Sequence, residues 1–317
     1  MKIYFIAVLL AFALSFLLCL IFIPLLRRMK AGQNILVYVK EHKAKSGTPT
    51  MGGLAFILAT IFASAICIGE WKRTTVVALA IGLAYMIVGF LDDFLKMKHK
   101  ENLGLRAWQK FAFQVCIAVI SGIYCIKEGL TLVNLPFSGV AIDIGIWMFP
   151  LSMIAFLGTV NAVNLTDGLD GLASGVSVPF FAALGVLTVL QKGNTDLAVV
   201  SFALVGALLA YLLFNVSPAG VFMGDTGSLA LGGFASAVAT FGGNVLFLPI
   251  LGALFVFSVI SVILQVIYYK ISKGKRIFLM APVHHHFQEK GFSETKISYA
   301  YFVITLFLGL VCIVTAV

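Results

Sequence analysis

The sequence predicts an all-α polytopic membrane protein, one domain over residues 1–317 with about ten membrane-crossing helices. Three observations predict it. Hydrophobic residues make up 61% of the chain and charged residues 11%, whereas soluble domains are nearer half apolar and a quarter charged. Mean hydropathy is +1.07. The apolar residues are also gathered into runs close to the roughly 20 residues that a helix needs to cross the hydrocarbon core. So few charges cannot cover a water-facing surface. The same composition excludes a disordered chain, a collagen and a disulfide scaffold.

Ten stretches qualify in order: 3–26, 51–69, 75–95, 107–126, 146–163, 176–191, 196–214, 228–243, 245–269 and 298–317. The first is too long for the apolar part of a signal peptide, and its leading segment carries only Lys2. Residues 127–145 hold Gly129, Pro136 and Gly139 between short apolar runs, which predicts a small hairpin. No internal repeat is visible. Cys19, Cys67, Cys116, Cys125 and Cys312 are far apart and form no C-x-x-C, so they read as small buried hydrophobes.

Connections after the odd-numbered stretches hold seventeen of the lysines and arginines, and the other side holds five. Positive residues stay on the cytoplasmic side, so both termini are expected outside. The same basic face would attract anionic lipid headgroups and phosphates. Asp92, Asp93, Asp167, Asp170, Asp225 and all five histidines fall on this basic side. A channel or transporter more often shows ionisable groups along a pathway at mid-span, and here the span centres are nearly free of charge.

Five polar segments carry chemistry. Gly89-Phe-Leu-Asp92-Asp93-Phe-Leu-Lys96 ends the third stretch with adjacent carboxylates. An Asp92–Lys96 pair at i, i+4 accounts for Asp92 and leaves Asp93 idle; a divalent metal or proton transfer accounts for both. Asn161 to Leu172 spaces Asp167 and Asp170 three apart among glycines, unlike a calcium loop. Asn215 to Ser228 is glycine-rich and opens the eighth stretch with Asp225. Free backbone N–H groups at such a helix start hold phosphate, and an aspartate there calls for an intervening Mg²⁺. Met280 to Gly291 contains His284, His285 and His286, which diverge on any regular backbone and suit phosphate hydrogen bonding and acid–base help. Lys45 to Gly53 offers a lysine, hydroxyls and backbone donors to an anion. Together the five suggest Mg²⁺-assisted phosphoryl transfer.

Asp92-Asp93 with Lys96, Asn161-x-x-Asn164-x-x-Asp167-Gly-x-Asp170-Gly, Phe222-Met-Gly-Asp225 and Pro282-Val-His284-His285-His286-Phe resemble the polyprenyl-phosphate N-acetylhexosamine-1-phosphate transferases. The Lys45-to-Gly53 segment and the triple histidine look like the branch that takes a muramoyl-pentapeptide donor. The resemblance runs from Lys45 through Glu294. It implies an enzyme of the bacterial cytoplasmic membrane, a possible homodimer with no nucleic-acid partner. Undecaprenyl phosphate would attack the sugar-side phosphate of UDP-MurNAc-pentapeptide, forming lipid I and releasing UMP with Mg²⁺ as cofactor, the first membrane step of peptidoglycan synthesis.

The resemblance also implies roles. Asp225 would ligate the metal, together with Asp92, the candidate base or nucleophile, and Asp93 would lie beside it. Asp167, Gly168, Asp170, Asn215 and Phe222 would line a uridine pocket, and Leu169 would be a further substrate-binding position. Lys45, Thr50 and Asn164 would sit by the nucleotide sugar and phosphates, and Gly224 and Ser228 would be further substrate-binding positions. Lys96 and Lys110 would offset phosphate charge, and His284, His285 and His286 would position the diphosphate, with His285 among the catalytic groups. Gln265 and Ala281 would be near. The long ninth stretch, with Gly252 inside it, would bend to admit a lipid tail. A sister activity with a GlcNAc donor and, from another class, a membrane transporter are the competing readings.

Overall fold

The computed structural model describes residues 1–29, 47–99, 104–190 and 195–316. Helices α1 (Lys2–Arg28), α2 (Gly53–Cys67), α3 (Arg73–His99) and α4 (Ala107–Lys127) lead to strands β1 (Leu132–Asn134) and β2 (Ala141–Asp143). Then follow α5 (Met148–Thr166), α6 (Leu172–Leu190), α7 (Thr195–Asn215), α8 (Gly224–Phe241), the single turn α9 (Leu248–Leu251), α10 (Ala253–Ile271), α11 (Val283–Glu289) and α12 (Glu294–Thr315). The expected hairpin is present: β1 and β2 pair antiparallel with Val133 opposite Ile142.

Every expected stretch contains a helix, but among the described residues eight helices, not ten, are long and apolar enough to cross a membrane. The two that differ are α2, with 15 residues, and α8. Helix α8 is buried at every position from Thr226 to Phe241, so its solvent is protein, and it can be rich in Gly, Ala, Ser and Thr. Its neighbours use that smallness. A Cβ on Gly82 would overlap the Phe234 ring, and one on Gly233 would overlap Tyr85, so α3 and α8 interlock glycine against aromatic. Likewise Gly232 lies against Val160 of α5. In a bilayer, where lipid tails are as apolar as leucine, such close approach is a main source of helix association.

Burial sorts the bundle into layers. In α6 and α7, 83% and 72% of the apolar window is inside the protein, against 17% in α10. The outer helices α1, α4, α10 and α12 present their large apolar side chains outward, Leu17, Ile120, Ile263 and Phe307 among them. Cys116 is exposed on α4, contrary to its expected burial. An outward position is apolar too when its surroundings are lipid. The ninth stretch does bend: Gly252, at φ −94° and ψ 26°, separates α9 from α10.

Candidate active site

Four helices end at one cluster. From α3 come Asp92, Asp93 and Lys96, from α4 Lys110, from α5 Asn164, and from α8 Asp225 and Ser228. Asp225 is the hub. Its Oδ2 accepts from Lys96 Nζ at 2.8 Å and from Lys110 Nζ at 2.9 Å, and its Oδ1 accepts from Asn164 Nδ2 at 2.6 Å. Asn164 Nδ2 also reaches Ser228 Oγ at 2.8 Å. Lys96 pairs with Asp92 Oδ2 at 2.6 Å, so one ammonium bridges two carboxylates. Asp92 Oδ1 accepts the Leu105 N–H at 2.7 Å, which ties the chain just ahead of α4 to the end of α3.

Asp93 is not idle. It accepts from the backbone N–H groups of Asp225 at 3.2 Å and Thr226 at 2.9 Å, and from Thr226 Oγ1 at 2.7 Å. It therefore caps α8 from a distant helix. This corrects the expectation that the α8 start offers free N–H groups to phosphate: two of them are already held by a buried anion that suits the positive end of the helix dipole. Gly224, at φ +67°, leaves room for that carboxylate, because a Cβ there would collide with Asp93 Oδ2. A Cβ on Gly89 would collide with the Asp225 carbonyl, so Gly89 sets how near α3 comes to α8.

The segment before α2 is tied by its backbone to the segment before α8. Phe222 N–H donates to the Pro49 carbonyl at 2.8 Å, and Gly52 N–H donates to the Phe222 carbonyl at 2.9 Å. A Cβ on Gly53 would overlap the Gly227 backbone. Thr50 Oγ1 is buried without a partner, 2.5 Å from where a Cβ on Gly224 would stand. Lys45 lies outside the described residues.

A second group adjoins the first around the α5–α6 turn. Asp167 follows α5, half-buried. Burial, then the charges of Asp225, Asp93 and Asp170, push its carboxyl well above the usual carboxylate range. A Cβ on Gly168 would meet His284 Nε2 at 2.5 Å and His285 Nε2 at 2.9 Å. His284 is fully buried with neither ring nitrogen partnered. Burial, then His285, pulls its pKa down to about 3. His285 Nδ1 meets Gln288 Oε1 at 3.0 Å, and Gln288 Nε2 donates to Glu294 Oε1 at 3.2 Å. His286 turns away, its Nδ1 accepting the Leu279 N–H at 3.1 Å.

Several expected ligand contacts hold the scaffold here. Asp170 Oδ2 accepts the Ala219 N–H at 3.0 Å. Asn215 Oδ1 accepts from Ser174 Oγ at 2.6 Å, while its Nδ2 donates to the Val221 carbonyl at 2.9 Å. The Leu169 side chain is packed in the apolar core, and Phe222 is half-buried at the rim. Gln265 Oε1 accepts the Ile277 and Phe278 N–H groups, and with Ala281 it lines a separate cavity of about 690 Å³ that contains none of the acidic cluster. The sequence reading missed Thr226, Gly89, Leu105, Gln288 and Glu294, which act through backbone or second partners. Only the placement of Gly89 three residues before the acid pair hinted at its use.

The donor set fits a hard divalent ion. Carboxylate oxygens of Asp92, Asp93 and Asp225 lie within 4.8 Å of one another, and oxygen is what Mg²⁺ takes. Asp92 and Asp225 share the Lys96 ammonium, so one cation already sits between these two carboxylates, and they could hold such an ion.

An apolar bundle closing on carboxylates, lysines and a paired asparagine is an arrangement that a membrane-embedded group-transfer enzyme can use, and comparison with known proteins supplies that class. The pattern of glycosyl transferase family 4 matches residues 75–243, and that of the phospho-N-acetylmuramoyl-pentapeptide-transferase signature 1 matches residues 45–57. Phospho-N-acetylmuramoyl-pentapeptide-transferase of Clostridium perfringens (strain SM101) is 45% identical over 95% of this chain and 93% of its own. Those of Heliobacterium modesticaldum and Listeria welshimeri are each 45% identical, over 90% of this chain and 90% and 91% of theirs. The chain belongs to the phospho-N-acetylmuramoyl-pentapeptide-transferase family, within glycosyl transferase family 4. It is a phosphoglycosyl transferase and a multi-pass protein of the bacterial cytoplasmic membrane.

Proposed function

We propose that the protein transfers phospho-MurNAc-pentapeptide from UDP-MurNAc-pentapeptide to undecaprenyl phosphate, giving lipid I and UMP, in peptidoglycan synthesis. One observation carries this reading: Asp92, Asp225, Lys96, Lys110 and Asn164 converge at one end of a bundle whose outside is apolar. A lipid-tethered phosphate can only present itself at such an edge. The basic connections favour the cytoplasm for that edge, where a soluble nucleotide sugar is found.

In the reaction, an oxygen of the lipid phosphate bonds to the sugar-side phosphorus, and the bond from that phosphorus to the bridging oxygen breaks as UMP leaves. Asp92 takes the proton of the attacking phosphate or orients it. Asp92 and Asp225 would hold Mg²⁺, and the ion when bound would supply charge neutralisation at the phosphates. Lys96 and Lys110 face the same charge; two like unit charges about 4 Å apart cost roughly 4 kcal/mol at an effective dielectric near 20. Asp93 keeps α8, and with it Asp225, in place. The turn at Asp167 and Gly168, with His284 and His285, faces the nucleotide. An apolar cavity of about 270 Å³ at the α9–α10 bend, lined by Gly158, Phe180 and Val256, suits a prenyl chain.

Purified protein given undecaprenyl phosphate and Mg²⁺ should release UMP from UDP-MurNAc-pentapeptide and stay silent with UDP-GlcNAc. Release from UDP-GlcNAc alone would move the chain to the sister activity, and no release from either would overturn the proposal.

A further inference from the structure

Beneath the cluster lies a polar layer that the reaction does not use. Asn161 Nδ2 on α5 donates to Gln114 Oε1 on α4 at 2.8 Å and to its own helix at the Leu157 carbonyl, also 2.8 Å. Tyr85 on α3 donates its hydroxyl to the Gln114 carbonyl at 3.3 Å. Gln114 is 1% exposed and Tyr85 fully buried. The layer joins the three helices that carry Asp92, Lys110 and Asn164. Gln114 is one turn from Lys110, Asn161 one turn from Asn164, and Tyr85 two turns from Asp92.

Helix α4 needs such an anchor. Only Gln114, Ala118, Ser121, Gly122 and Cys125 of its 21 residues are buried. Its exposed side chains, Phe111, Ile120 and Ile123 among them, meet lipid, which is as apolar as the protein interior and gives no preference for one axial position over another. A slip of one residue would move Lys110 by about 1.5 Å along the axis and about 100° around it. That would take its ammonium away from Asp225.

We propose that Gln114 and Asn161 are positioning residues for the transfer reaction: their amide pair fixes α4 against α5 and so sets where Lys110 and Asn164 meet Asp225. The proposal rests on the reading of that cluster as the active site, and it is tested by a cycle that separates the two. UMP release is measured for the wild type, Lys110→Gln, the pair Gln114→Leu/Asn161→Leu, and the pair combined with Lys110→Gln. Replacing both amides leaves no buried polar orphan. The pair should retain its melting temperature and lose on the order of tenfold or more in kcat. Lys110→Gln should then cost at most about twofold further in the pair, having cost far more alone.

A pair with full activity, or a Lys110 effect of equal size in both backgrounds, overturns the positioning role and leaves the cluster reading intact. A Lys110→Gln enzyme that is fully active alone overturns the cluster reading. Should the leucine pair not fold, the exchanged pair Gln114→Asn/Asn161→Gln enters the same cycle. It keeps two amides and shifts their contact, so the Lys110 effect should shrink; an unchanged effect overturns the proposal.

Discussion

At the scale of single residues, neighbouring acids are given different work by what reaches them. Asp92 is held by one lysine and one backbone N–H, and its carboxylate lies beside that of Asp225. Asp93, one residue on, is spent on three donors of α8. Asp92→Asn should lower the rate of UMP release by on the order of 10² to 10⁴ with nucleotide binding retained; a parallel fall in binding would make Asp92 a binding residue. His284 has a pH signature. An unfolded chain protonates this ring near 6.5, and the folded ring resists protonation down to about 3. Its contribution to stability is therefore complete above about 6.5 and is lost progressively as pH falls from there toward about 3. His284→Asn should flatten the fall in melting temperature across that window, and an unchanged slope would contradict the assignment.

At the scale of elements, the site depends on how closely α3, α5 and α8 approach. Glycine gives that approach at Gly89 and Gly224, and Asp93 fixes it by capping α8 across the interface. Asp93→Ala removes a buried acceptor from three donors and should cost about 2 kcal/mol or more, read as a lower melting temperature together with lost turnover. Turnover lost at unchanged stability would instead make Asp93 part of the chemistry. The helices themselves were legible in the sequence, because a membrane span must be long and apolar whatever it packs against. The cluster's membership was legible too, since charge at an apolar boundary is conspicuous: Asp92, Lys96, Lys110, Asn164 and Asp225 do meet. What could not be read was the division of labour. Asp93 as a distant cap, Asn215 and Gln265 as brackets for loops, and Gly53 as a contact for Gly227 all depend on partners far away in the chain. Nor could the status of α8 be read. Its composition looks like a weak span, and only the surrounding helices show it to be the buried centre.

At the scale of the whole molecule, polarity is one-sided, and the proposed orientation follows from it. Cysteine placed at Ser138 in the β-hairpin should react with a membrane-impermeant maleimide on intact protoplasts, and cysteine at Lys275 only after permeabilisation; the reverse pattern would invert the protein and separate its site from cytoplasmic nucleotide. The central claim is that one end of an apolar bundle brings a metal-holding carboxylate to two substrate phosphates. Its most direct test is UMP release by Asp225→Asn with undecaprenyl phosphate, UDP-MurNAc-pentapeptide and a Mg²⁺ titration. The account predicts no Mg²⁺-dependent turnover from a protein that inserts and melts like the wild type. Normal turnover with an unchanged Mg²⁺ response would contradict it.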